Sequence, residues 1–189
     1  MRIITGKAKG LKLITLEGED ITRPTSERVK EAVFSMLQFD IEGRSILDLF
    51  AGSGQMALEA LSRGASSAVL VDKSKDALSV IKRNIEKTGM TEQSTVVMSD
   101  YMDFIKRSRG KKFDIIFLDP PYKAQMHAPA LIALKEYDII KPTSMLICEC
   151  SFDYDISNDE RITKFYNVKK QSKYSRSVIT IFEPKNEGD

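Results

Sequence analysis

The stretch "SILDLFAGSGQMALEALSRG", residues 45 to 64, decides the fold. An apolar run turns through two glycines and continues with apolar residues at helical spacing until Gly64. The strand-glycine-helix pattern then repeats. "SSAVLVD" leads into "SKDALSVIKRNIEKTG", closed by Gly89, and "STVVMSD" leads into the short helix "YMDFIKRS". "FDIIFLD" precedes a helix over roughly 125–137, and "TSMLICEC" reads as a fifth strand. Continuous apolar strands, each followed by a helix, predict an α/β fold with a mostly parallel sheet covered on both faces.

The flanks differ. "MRIITGKAKGLKLITL" alternates β-formers around Gly6 and Gly10, which predicts a small N-terminal β-hairpin extension over residues 1–22. "RPTSERVKEAVFSMLQF" carries helix start signals, with Glu27 close behind a Thr or Ser cap. That helix opens the main domain, 23–189. At the other end "RITKFYNVKKQ" and "SVITIFEP" read as two long strands joined near Tyr174-Ser175, an antiparallel hairpin on the sheet edge. They complete a seven-stranded sheet.

Composition excludes several classes. The 189 residues are 42% hydrophobic and 30% charged, as in soluble globular proteins. Arg2, Lys7, Lys9 and Lys12 interrupt any signal-type apolar core, and no run approaches the ~20 residues of a membrane span. A cytoplasmic protein is expected. Cys148 and Cys150 are the only cysteines and His127 the only histidine, so buried structural thiols are favoured over a metal site. Net charge is only +2, but basic residues gather at 1–30, at 106–112 ("KRSRGKK") and at 160–176. Each cluster is a solvated face unless the fold brings them to one side.

In an open α/β sheet the site lies beyond the carboxyl ends of the strands. Four strands deliver acids there: Asp48 before the Gly52/Gly54 turn, then Asp72, Asp100 and Asp119. "GSGQMA" also fits a loose dinucleotide pattern with Asp72 as the ribose acid. Asp48, however, would repel a diphosphate and suits the ammonium or sulfonium of S-adenosylmethionine. Asp72 and Asp100 could equally be helix caps. Asp119-Pro120-Pro121-Tyr122 has a chemical rationale of its own. An exocyclic amine on a nucleobase is a poor nucleophile. The Asp119 carboxylate and Pro120 carbonyl can accept its hydrogens, the prolines hold those acceptors rigidly, and the Tyr122 ring can stack on a flipped base.

The combination of "RPTSERVKEAVFSML", "DLFAGSG", "ALEALSRGA", "VLVD" and "FLDPPY" resembles the bacterial family of small-subunit (16S) ribosomal RNA guanine-N2-methyltransferases, over about residues 1–183. That resemblance implies a Rossmann-like class I methyltransferase using S-adenosylmethionine and no metal, acting on small-subunit ribosomal RNA, free or in an assembled particle. It implies that Asp48, Phe50, Gly52, Gly54 and Thr25 hold the donor's methionine part or border its pocket. Asp72 would take the ribose, and Asp100, Lys73 and Tyr101 the adenine. Asp119 to Tyr122 would hold the target guanine, and Arg2, Lys7, Lys9, Lys12, Arg23 and Arg28 would contact RNA. The chain departs from the family pattern at Thr5, at Leu11 and in "KYSRS". The rival expectations are an adenine-N6 DNA methyltransferase, a non-catalytic RNA-binding protein on the same scaffold and, more distantly, a nicotinamide dehydrogenase.

Overall fold

The structure, a computed structural model, describes residues 1–16, 24–121, 126–174 and 177–185, with the backbone alone at 24–26. In chain order the elements are α1 (Pro24–Met36), β1 (Ser45–Asp48), α2 (Gln55–Ser62), β2 (Ser67–Asp72), α3 (Lys75–Thr88) and β3 (Ser94–Met98). Then follow α4 (Tyr101–Arg107), β4 (Phe113–Leu118), α5 (His127–Glu136), β5 (Ile140–Ser151), α6 (Glu160–Thr163), β6 (Tyr166–Lys173) and β7 (Ser177–Pro184).

The seven strands form one sheet in the order β3-β2-β1-β4-β5-β7-β6. The first five in that order run parallel, and β7 and β6 complete the sheet antiparallel. All six residues of β4 are buried, as a strand covered on both faces requires. Its side chains divide by the period of two. Ile115 and Phe117 enter the core under α1, α2 and α3, while Ile116 and Leu118 enter the core under α4, α5 and α6. The chain steps outward from β1 through β2 to β3, then returns to lay β4 on the other side of β1. That reversal opens a crevice at the carboxyl ends of β1 and β4.

The ends of the helices follow from side-chain chemistry. Ser74 caps α3 by accepting from the Ala77 N–H, and Gly89 closes it in the left-handed region. Asp159 accepts from the Arg161 N–H and starts α6, with Ile162 buried beneath it. This corrects the strand expected over 161–171: an acidic cap and one docked isoleucine make a helical turn of its first residues, and β6 begins only at Tyr166. β5 begins at Ile140, three residues before the expected start.

The N-terminal residues form a minimal hairpin, with one antiparallel bridge between Arg2 and Lys12. It packs into the main core, where Ile3, Ala8 and Leu13 are buried with Phe34 and Leu58. No helix among the described residues is long and apolar enough to cross a membrane.

Candidate active site

The crevice at the β1/β4 reversal holds a cleft of about 400 Å³. Its floor comes from the turn after β1. Gly54 sits at φ 79°, and a Cβ there would lie 3.1 Å from Leu70 Cδ2, so any larger residue would strain the turn into α2. Phe50 and Gly52 line the cleft, and so do Asp72 and Lys73 at the end of β2. Ser99, Asp100 and Tyr101 come from the end of β3, and Asp119, Pro120 and Pro121 from the end of β4. The Phe50 and Tyr101 rings meet at 5.2 Å between centroids and build an aromatic wall.

The acids behave differently from one another. Asp48 is 3% exposed and does not line the cleft. Burial pushes its carboxyl up to about 7; the Phe50 and Ala57 backbone groups bond it and oppose the rise, and the Asp72 charge adds to it. Asp72 accepts from the Gly52 N–H and the Ser74 N–H, each at 2.9 Å, so it ties the glycine turn to the start of α3. Asp100 caps α4 through the Met102 N–H at 2.9 Å while its residue lines the cleft. Capping and cleft-lining are therefore compatible in this residue. Among the described residues, no group of three or more His, Cys, Asp or Glu is placed to hold a metal.

Asp119 leaves the sheet just past Leu118, which pairs with Cys148 of β5. Behind that point the buried ring of His127 bonds the Glu149 carbonyl at 2.9 Å and the Leu118 backbone, bracing the ends of β4 and β5. Burial lowers its pKa, and the ring is a packed residue. Cys148 and Cys150 are free and buried, and burial pushes the Cys150 thiol up to about 12. Such thiols are inert at neutral pH.

Of the residues expected to contact RNA, Arg2, Lys7, Lys9, Lys12 and Arg28 are exposed. Arg2 lies 3.9 Å from Glu27. The basic clusters do not all converge. The 106–112 segment lies at the amino end of β4, opposite the cleft, with Lys112 paired to Asp138. The lysines of β6 lie on the sheet's edge strand, where charge also blocks edge-to-edge pairing. Arg23 and Tyr122 lie outside the described residues, and of Thr25 only its place in α1 is described.

Sequence reading missed Leu16, Leu49, Ser74, Ala77, Ser99 and Met126 as cleft residues. Ser74 was findable as the cap following Asp72; the others are small or apolar and carry no local signal. The cleft fits S-adenosylmethionine. The close-approach glycine turn, the acid at the end of β2 and the aromatic wall suit an adenine nucleoside, and Asp119-Pro120-Pro121 opens on the same space.

Known proteins agree with this architecture. Ribosomal RNA small subunit methyltransferase D of Haemophilus influenzae is 34% identical over 165 residues, covering 86% of this chain and 85% of that protein. YlbH of Bacillus subtilis is 33% identical over 187 residues, covering 97% and 98%. The solved structure of yhhF from Escherichia coli superposes with a TM-score of 0.82 at 25% identity, covering 99% of both chains. The family model described as Conserved hypothetical protein 95 matches residues 1–183. The chain belongs to that family and has the Rossmann-like methyltransferase fold.

Proposed function

We propose that this protein is a cytoplasmic enzyme that transfers a methyl group from S-adenosylmethionine to the N2 amine of a guanine in small-subunit ribosomal RNA. One observation carries it: Asp119, Pro120 and Pro121 line the same cleft as the glycine turn, Asp72 and the Phe50–Tyr101 wall. An amine-binding motif and a nucleoside cradle share one space. The similarity to Ribosomal RNA small subunit methyltransferase D supports the RNA as substrate.

When bound, S-adenosylmethionine supplies an electrophilic methyl on a sulfonium. The chain's own residues do the rest by position and charge. The Gly52 and Gly54 turn would hold the donor's methionine end, and the buried Asp48 carboxylate beneath that turn would act on it by charge alone. Asp72 would take the ribose hydroxyls, and Asp100, Lys73 and Tyr101 would border the adenine. The Asp119 carboxylate and the Pro120 carbonyl would accept the hydrogens of the N2 amine and aim its lone pair at the methyl carbon. As the new C–N bond forms and the C–S bond breaks, the surplus amine proton would leave along the hydrogen bond to Asp119.

The test offers tritiated donor with naked ribosomal RNA, small-subunit particles and DNA, followed by nucleoside digestion. Label in N2-methylguanosine from ribosomal RNA is expected. Asp119→Ala should lower that rate by about 10²-fold or more while S-adenosylhomocysteine still binds. Label confined to DNA adenine would overturn the assignment, and full activity of Asp119→Ala would remove Asp119 from the chemistry.

A further inference from the structure

Asp119 borders a second cavity, of about 140 Å³, between α1, α2 and the ends of β4 and β5. Val33, Phe117 and Ile147 give it apolar walls, and Lys30, Gln55 and Glu149 line it with Asp119. Two of these polar groups are unusual. The Gln55 side-chain oxygen is buried with no hydrogen-bond partner among the described residues, and native folds leave few such groups without a use. Lys30 is 2% exposed. Its ammonium meets the Arg2 carbonyl at 2.5 Å and the Glu59 carboxylate at 3.2 Å, which leaves one of an ammonium's three donors uncommitted among the described residues.

Cavity and donor cleft thus share one carboxylate, and the cavity combines apolar walls, a cation and several acceptors. The edge of guanine presents an amine and a ring N1–H as donors, with O6 as acceptor. Adenine presents an unprotonated N1 in place of that N–H. We propose that this cavity receives the acceptor base and reads it as guanine, with Gln55 accepting the N1–H, Lys30 facing O6, and Asp119 holding the amine toward the donor cleft. This rests on the methyl-transfer function proposed above and names the residues that choose its base. Gln55 is the first residue of α2, directly after Gly54, so the turn that shapes the donor cleft also sets the reading group. An adenine in this place would set the Gln55 oxygen against a ring lone pair, and sites built to hydrogen-bond a donor reject analogues lacking it.

The test first maps the labelled nucleotide with wild-type protein and unmethylated small-subunit particles. Synthetic RNA then carries that nucleotide as guanosine or as 2-aminopurine riboside, which keeps the amine but lacks O6 and the N1–H. Wild type should prefer guanosine, and Gln55→Leu should lower its guanosine rate about tenfold and narrow the preference to the part that Lys30 and O6 supply. Gln55→Glu, which keeps an acceptor, should retain the preference. S-adenosylhomocysteine affinity should be unchanged in both variants, which shows that they fold. Guanosine labelling with the wild-type preference intact in Gln55→Leu would overturn the assignment of Gln55 alone. Absence of label from guanosine would instead overturn the methyl-transfer function on which it rests.

Discussion

Asp48 sets burial against charge. Its folded carboxyl titrates at about 7, against 3.8 for an ordinary aspartate. The folded chain therefore keeps a proton that the unfolded chain releases. Asp48 favours the fold fully below about pH 4, and that contribution is lost as pH rises through 7. A cation beside the ionised form would reverse that cost, and the donor's ammonium and sulfonium are such cations. S-adenosylhomocysteine, which keeps the ammonium, should bind more tightly at pH 8 than at pH 6, and Asp48→Asn should remove the difference. Calorimetric titration at the two pH values measures it. A wild-type affinity that does not change would separate Asp48 from the donor's polar end.

At the scale of elements, α2 and the N-terminal segment form one unit. Glu59 is fully buried on α2 and accepts from the Ile4 N–H at 2.7 Å and the Thr5 N–H at 3.1 Å. It also pairs with Lys30 at 3.2 Å and Arg63 at 2.8 Å. A lone buried carboxylate would be costly, whereas these partners satisfy it. Beside it, the Lys7 N–H bonds the Ser62 carbonyl at 2.8 Å, and Ser62 Oγ bonds the Thr5 carbonyl at 2.6 Å. Gly6 permits this approach. Its φ is 88°, and a Cβ there would lie 1.7 Å from the Ser62 carbonyl oxygen. Gly6→Ala should therefore lift the segment off α2, at a cost on the order of 2 kcal/mol or more. Denaturant unfolding should show a lower midpoint, and limited proteolysis should cut first within residues 1–16. An unchanged midpoint would mean that the segment contributes little to the fold.

At the scale of the whole molecule, charge distribution matters more than net charge. Lys7, Lys9 and Lys12 are exposed on a segment whose later residue Leu16 lines the donor cleft, whereas the 106–112 turn faces the opposite rim. Reversing Lys7 and Lys9 to Glu should weaken binding to small-subunit RNA. Each lysine–phosphate pairing removed in this way should lower the salt slope by about 1. Titrations at several salt concentrations measure both, and an unchanged slope would remove these lysines from the RNA interface. The sequence by itself determined the alternation of buried strands and helices and the acids at the strand ends. It also held the double proline after Asp119, because period, glycine turns and proline chemistry are local properties. Only the tertiary structure decided that Glu59 on α2 would be enclosed by Lys30 and the N-terminal backbone, or that Gln55 and Lys30 would face Asp119 across one cavity. Those groups come from separate elements, 29 residues apart for Lys30 and Glu59 and 64 for Gln55 and Asp119, and no local pattern records which of them packing will bring together.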